Sequence, residues 1–185
     1  MRPSKRDELV QKAEKIFYRD GFHATGMDRL VAETGISKTT MFKHFHSKDE
    51  LILATLRRKD ETFRNRMHKH LAEAGGEPRE QLLAVFDVLT DWFAQADFCG
   101  CMFIKAASEY PVHDDPIAVQ AREHKRLVLL DLQQLARAAG AGDAAGLARQ
   151  LMLLIEGAIV AKHMGYSEAP DADAKAAAEV LIMAA

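Results

Sequence analysis

The sequence predicts an all-α fold of about nine helices in two domains, residues 1–47 and 48–185. Three observations carry this. Apolar side chains recur every three to four residues through most of the chain, and no stretch alternates with the period of two that a half-buried strand requires. Glycine and proline interruptions at Gly21, Gly35, 75–78, 110–111, 140–142 and 165–170 cut that pattern into helix-sized lengths. Residues 25–51 carry the caps, the glycine and the apolar spacing of two short helices about a tight turn.

The first helix is expected over about 6–20, with Leu9, Ala13, Ile16 and Phe17 on one face and Gly21 as its stop. In the second, Met27, Leu30, Val31 and Thr34 share a face. Gly35 ends it, because a residue without Cβ takes a positive φ at little cost. Ile36 plugs the junction, and Ser37 is the N-cap of a third helix that turns Met41, Phe42 and Phe45 inward. Ser47 and Glu50 have the spacing of a capping box that starts a fourth. One helix bracing while the next presents its first turn is helix-turn-helix geometry, which reads the major groove of double-stranded DNA.

The polar residues agree. Lys38, Thr39, Thr40, Lys43 and His44 are left facing outward, all donors or cations and none acidic. Unbonded N–H groups of a first helical turn and threonine hydroxyls suit phosphate oxygens, and Lys38, Thr39 and Lys43 have the reach for a base edge. Lys48 lies in the first turn of the next helix, where a cation opposes the helix dipole; a phosphate would supply the reason for it. Arg29, on the outer side of the bracing helix, is a DNA contact or a surface partner of Glu33 one turn on.

The run Ser37-Lys38-Thr39-Thr40-Met41-Phe42-Lys43-His44-Phe45, with Ser47-Lys48-Asp49-Glu50-Leu51, resembles the DNA-binding signature of the TetR family of bacterial regulators. Ala13, Phe17, Gly21, Phe22, Ala24 and Thr25 fit upstream. The resemblance is strong over the first third of the chain and elsewhere extends only to length and helical character. It implies a DNA surface made by Thr25, Gly26, Arg29, Ser37, Lys38, Thr39, Thr40, Phe42, Lys43, His44 and Lys48. It further implies a homodimer that reads a palindromic operator as a ligand-responsive repressor. Two residues depart from the family pattern. Phe42 stands where tyrosine is usual, which removes a hydroxyl contact to a phosphate, and Gly26 stands where serine or threonine is usual, which weakens a cap or phosphate contact.

Downstream, a long helix from Lys48 passes through Ile52, Leu56, Phe63, Met67 and Leu71 to the break at 75–78, and is the natural lever for a signal. Leu82, Leu83, Phe86, Leu89, Trp92 and Phe93 mark the next helix. A short one follows the hinge at 98–101, through Met102, Phe103, Ala106 and Ala107. A long helix from Pro116 to about 139 carries Leu127, Val128, Leu130, Leu132 and Leu135; Asp143 then caps a helix over 144–164, and an alanine-rich one over 171–185 closes the chain. The last two are apolar around much of their circumference, so they need cover on more than one side. A second copy supplying that cover would give a four-helix dimer interface.

The formal net charge of −2 conceals a division. Residues 1–71 hold 16 Lys/Arg against 10 Asp/Glu, and residues 72–185 hold 9 against 17. A basic headpiece on an acidic body suits nucleic-acid binding through one end, since phosphate neutralisation supplies most non-specific affinity. The amino-terminal seven residues have no apolar run, so no signal peptide is expected, and no membrane span, which places the protein in the cytoplasm.

A small-molecule effector would sit among the middle helices, with Phe86, Trp92, Phe93, Met102 and Phe103 as walls and Glu109, His124 and Glu156 as polar contacts. Packing in the core is the competing account of the aromatics, and solvation that of His124, which lies in an Arg-Glu-His-Lys-Arg run. Cys99 and Cys101 are small apolar residues or a thiol sensor. No His-x-x-x-His or Glu-x-x-His pair is present, so neither a metal nor another cofactor is expected. The chain also lacks a glycine-rich phosphate loop and a nucleophile elbow, which argues against an enzyme. The rival reading is a helical small-molecule-binding module or enzyme without specific DNA binding.

Overall fold

A computed structural model describes residues 4–185; the first three residues of the stretch scanned for a signal peptide lie outside the described residues. Nine helices occur among the described residues: α1 (Lys5–Asp20), α2 (Met27–Thr34), α3 (Lys38–His44), α4 (Lys48–Ala74), α5 (Pro78–Phe93), α6 (Met102–Glu109), α7 (Pro116–Ala138), α8 (Ala144–Met164) and α9 (Pro170–Ala184). Backbone contacts group them into two units. One takes the chain up to Thr62 with Cys101–His124, and the other takes Phe63–Gly100 with Lys125–Ala185.

In the first unit, Leu9, Phe17, Phe22, Leu30, Ile52 and Leu56 are wholly buried and form the core on which α2 and α3 rest. The local signals hold. Ser4 Oγ accepts from Asp7 N at the start of α1, Gly35 closes α2 in the left-handed region at φ 67°, and Ser37 Oγ accepts from Thr40 N at 3.2 Å. At the start of α4 the box is modified: Ser47 Oγ accepts from Glu50 N at 3.1 Å, but the Glu50 carboxylate reaches back one residue further, to His46 N at 2.7 Å.

Phe42 departs from the expectation that it faces inward. Met41 and Phe45 are buried, at 1% and 5% exposure, whereas Phe42 is 41% exposed. The reason is backbone geometry. Phe45 already lies past α3 in an extended conformation (φ −140°, ψ 121°), which turns its ring into the core. Phe42, one helical step of about 100° from Met41, is left on the flank.

In the second unit α8 packs along α9, and α5 also lies on α9. Leu147, Leu151, Ile155 and Ile159 of α8 and Ala174, Ala178 and Ile182 of α9 are buried there. Asp143 Oδ1 caps α8 by accepting from Gly146 N at 2.8 Å. Thr90 and Asp87 of α5 reach Asp171 and Lys175 of α9 at 2.7 and 2.5 Å. Among the described residues α8 alone is long and apolar enough to cross a membrane; its packing on α9 and α5 is what a core helix of the same composition shows.

Candidate nucleic-acid interface

The outward face of α3 is built from its own sequence. Lys38, Thr39, Phe42 and Lys43 are exposed, Thr40 and His44 partly so, and no carboxylate lies on the helix. With Ser37 bonded to Thr40 N, the amides of Lys38 and Thr39 still lack helical acceptors. Lys38 Nζ lies 3.0 Å from Asp28 Oδ1, an exposed surface pair that a phosphate can replace at little cost.

Around this face several candidates have partners within the protein. Arg29 Nε donates to Glu33 Oε1 at 2.7 Å and Arg29 Nη2 to Asp20 Oδ2 at 2.8 Å; Arg19 bonds the same two carboxylates. Hydrogen bonding from Arg19 holds Asp20 and Glu33 below the usual carboxylate range. The arginine pair thus fastens the end of α1 to α2, which is the surface-partner alternative for Arg29. Lys48 is half-buried and donates to the Phe22 carbonyl at 3.0 Å, so the reason for a cation at that helix start, sought above in a phosphate, is present inside the protein. Gly26 begins α2 without a side-chain cap, and a Cβ there would meet nothing within 4 Å.

Thr25 is a correction. It is wholly buried, its hydroxyl donates to Gly21 O at 2.8 Å and its amide bonds Phe22 O. Its hydroxyl is spent on closing the α1–α2 turn and has no proton left to donate to a phosphate, so the Thr25 side chain shapes the headpiece.

Glu109 is a second correction. Expected to meet an effector, it accepts from Phe22 N at 3.0 Å and His23 N at 2.5 Å, while the His23 ring contacts its carbonyl at 2.8 Å. Next to it, Lys105 Nζ donates to Tyr18 O at 2.7 Å, and Tyr110 stacks on His23 with ring centroids 4.7 Å apart. The end of α6 is therefore clasped to the α1–α2 turn. Sequence reasoning could not find this, because nothing local marks an acceptor 86 residues from its donor.

Burial, and then the negative charges of Asp49, Glu109 and Asp115, push the Tyr110 hydroxyl up to about 12. Since the folded value exceeds the unfolded one, the stabilisation is complete below the ordinary tyrosine value and is lost as pH rises through about 12. Alkaline titration followed by tyrosinate absorbance should show a late-titrating phenol that is lost in Tyr110→Phe.

The remaining body candidates divide between the units. In the first, Met102 and Phe103 are buried. His124, expected as a polar effector contact with solvation as the competing account, is 4% exposed, because α7 turns it inward onto Asp60 and the Phe103 ring. In the second, Phe86, Trp92 and Phe93 are buried, and Glu156 accepts from Lys125 at 2.6 Å. Sequence reasoning missed that Phe63 and Phe98 complete this aromatic cluster, lying 6.0 and 5.3 Å from the Trp92 ring. Cys101 is buried and Cys99 half-buried.

Comparison with known proteins fits this geometry. The family model for bacterial regulatory proteins of the tetR family matches residues 9–55, from α1 into α4. A crystal structure of a putative TetR transcriptional regulator from Streptomyces avermitilis is 30% identical, with 96% of this chain and 99% of that one covered at a TM-score of 0.81. The chain belongs to the TetR family. As a TetR-family member it is an HTH-type, DNA-binding transcriptional regulator. It is 28% identical to the HTH-type transcriptional repressor ComR of Escherichia coli over 88% of this chain and 81% of that protein. It is 42% identical to the HTH-type transcriptional activator FasR of Mycolicibacterium smegmatis, but over 57 residues, 26% of that protein's length. The identity to FasR is thus confined to a short stretch, whereas that to ComR runs through most of the chain.

Proposed function

We propose that this TetR-family regulator is a cytoplasmic, homodimeric repressor that holds a palindromic operator and releases it when a small molecule binds its helical body. The observation that carries the reading is the face of α3, which is cationic, free of carboxylates and capped by Ser37. Lys38, Thr39 and Lys43 would meet base edges or flanking phosphates, Phe42 a base edge, Thr40 and His44 the sugar–phosphate backbone, and Arg29, Lys48 and the Gly26 and Ser37 amides further phosphates, the two cations through donors that their partners within the protein leave over. Residues 1–47 would form the DNA-reading domain and 48–185 the ligand-binding and dimerisation domain. Similarity to ComR along most of the chain supports a repressor.

Dimerisation is supported by side chains that α8 and α9 leave in water: Leu153 at 73%, Met164 at 69%, Val180 at 68% and Met183 at 74%. Beside them lies an apolar cleft of about 330 Å³ lined by Leu153, Gly157, Ala158, Ala161, Tyr166 and Pro170. A second copy is the occupant that α8–α9 suits, since two recognition helices held about one DNA turn apart read a palindrome. Effector capture would use Phe86, Trp92 and Phe93 as walls and Glu156 as a polar contact. The ligand acts only through unequal affinity for the DNA-competent and incompetent states.

Sedimentation with DNA footprinting tests this. The wild type should be a dimer at micromolar concentration and protect two half-sites about 10 base pairs apart, centre to centre, or a multiple of that. Met183→Glu together with Leu153→Glu should give monomers whose operator affinity is at least about tenfold lower, because each places a charge in an apolar interface. A wild-type monomer bound to a single, unrepeated site would contradict the reading.

A further inference from the structure

Phe42 is the large apolar side chain that α3 presents to water, at 41% exposure. It lies one turn beyond Thr39 and Lys38, at spacings of three and four residues, which puts all three on one helical face. Lys43 is its neighbour, and no carboxylate lies on the helix. A phenyl ring has no donor to offer a phosphate, so the charged rim of this face can take the backbone while the ring cannot. What a major groove offers such a ring is the C5-methyl of thymine, the one apolar group on its base edges. With two side-chain torsions, phenylalanine gives up little freedom in holding that contact.

We propose that Phe42 reads a thymine methyl in each operator half-site and is thereby a determinant of sequence preference. The inference rests on the reading of α3 as the recognition helix. It assigns Phe42 a base contact where tyrosine in the usual family pattern would serve a phosphate.

The test uses the full-length protein and a duplex that it enriches from a randomised pool made with thymine. Each thymine of that duplex is replaced in turn by deoxyuridine, which lacks only the methyl group. The wild type should lose about fourfold in affinity at one thymine per half-site, and about fifteenfold when both are replaced, as burial of one methyl predicts. Phe42→Ala should bind the thymine and uracil duplexes equally; its exposure argues that it folds, which an unchanged unfolding temperature would verify. Wild-type binding that is indifferent to every replacement overturns the proposal and leaves the DNA-binding reading intact. Discrimination that persists in Phe42→Ala also overturns it, by assigning the methyl to another side chain. Failure to enrich any duplex overturns the underlying reading, and this proposal with it.

Discussion

Asp60→Ala should strongly destabilise the first unit. Asp60 and His124 have side chains 10% and 4% exposed, joined through Oδ1 and Nδ1 at 2.8 Å, and the Phe103 ring stacks on the imidazole with centroids 3.6 Å apart. Removing the carboxylate strips a partner from a buried ring nitrogen. The cost is about 1–3 kcal/mol if the bond is neutral, and about 3–5 kcal/mol if it is an ion pair whose remaining charge stays buried. Asp60→Asn keeps the shape and an acceptor but not the charge, so its own loss relative to wild type measures the ionic share, and the further loss in Asp60→Ala measures the acceptor and the packing. Chemical denaturation reads both. An Asp60→Ala protein within about 0.5 kcal/mol of wild type, the range of an ordinary surface substitution, would show that the pair does not hold α4 to α7.

Glu109→Ala should follow closely, with a loss of about 2–3 kcal/mol, because charge-assisted bonds to two amides of one turn vanish together. Its second consequence is functional. The turn that Glu109 clasps sets where α2 begins, and α2 braces α3, so operator affinity should fall beyond what the lost stability alone explains. Glu109→Gln retains one carbonyl acceptor and should be intermediate in both respects. The clasp is tight on the other side too. A Cβ on Gly21, where φ is +86°, would lie 2.8 Å from Glu109 Oε1, so Gly21→Ala should mimic Glu109→Ala in direction. Unchanged DNA binding in Glu109→Ala, measured at a temperature where it remains folded, would separate the clasp from the function.

The comparison of sequence with structure follows the range of the interactions. Helix boundaries were legible because their determinants are local: Ser37, Gly35 and Asp143 each act within a few residues. The cationic face of α3 was legible for the same reason, since charge placement on seven residues needs only helical periodicity. Phe42 was misread because the chain leaves the helix at Phe45, and the period that puts residues 41, 42 and 45 on one side ends there. Thr25, Glu109 and His124 look like available polar groups in isolation. Their hydrogen bonds to Gly21, to Phe22 and His23, and to Asp60 are what make them structural. Of these, only the Thr25 bond is short-range; the others close loops of more than sixty residues. Lys48 also has a long-range partner that its position alone does not reveal: the carbonyl that accepts from its ammonium lies 26 residues upstream.

The central claim is that the outer face of α3 neutralises and reads DNA. Its most direct test is the salt dependence of operator binding for the wild type, Lys38→Ala and Lys43→Ala. The wild-type slope of log K against log salt should be steep, at about −0.9 for each phosphate neutralised. Each substitution that removes a phosphate contact in both half-sites of a dimer should flatten it by about 2. A lysine that reads a base should relax preference at one position instead. A shallow wild-type slope, unchanged in both variants, would contradict the assignment of α3 as the DNA-reading element.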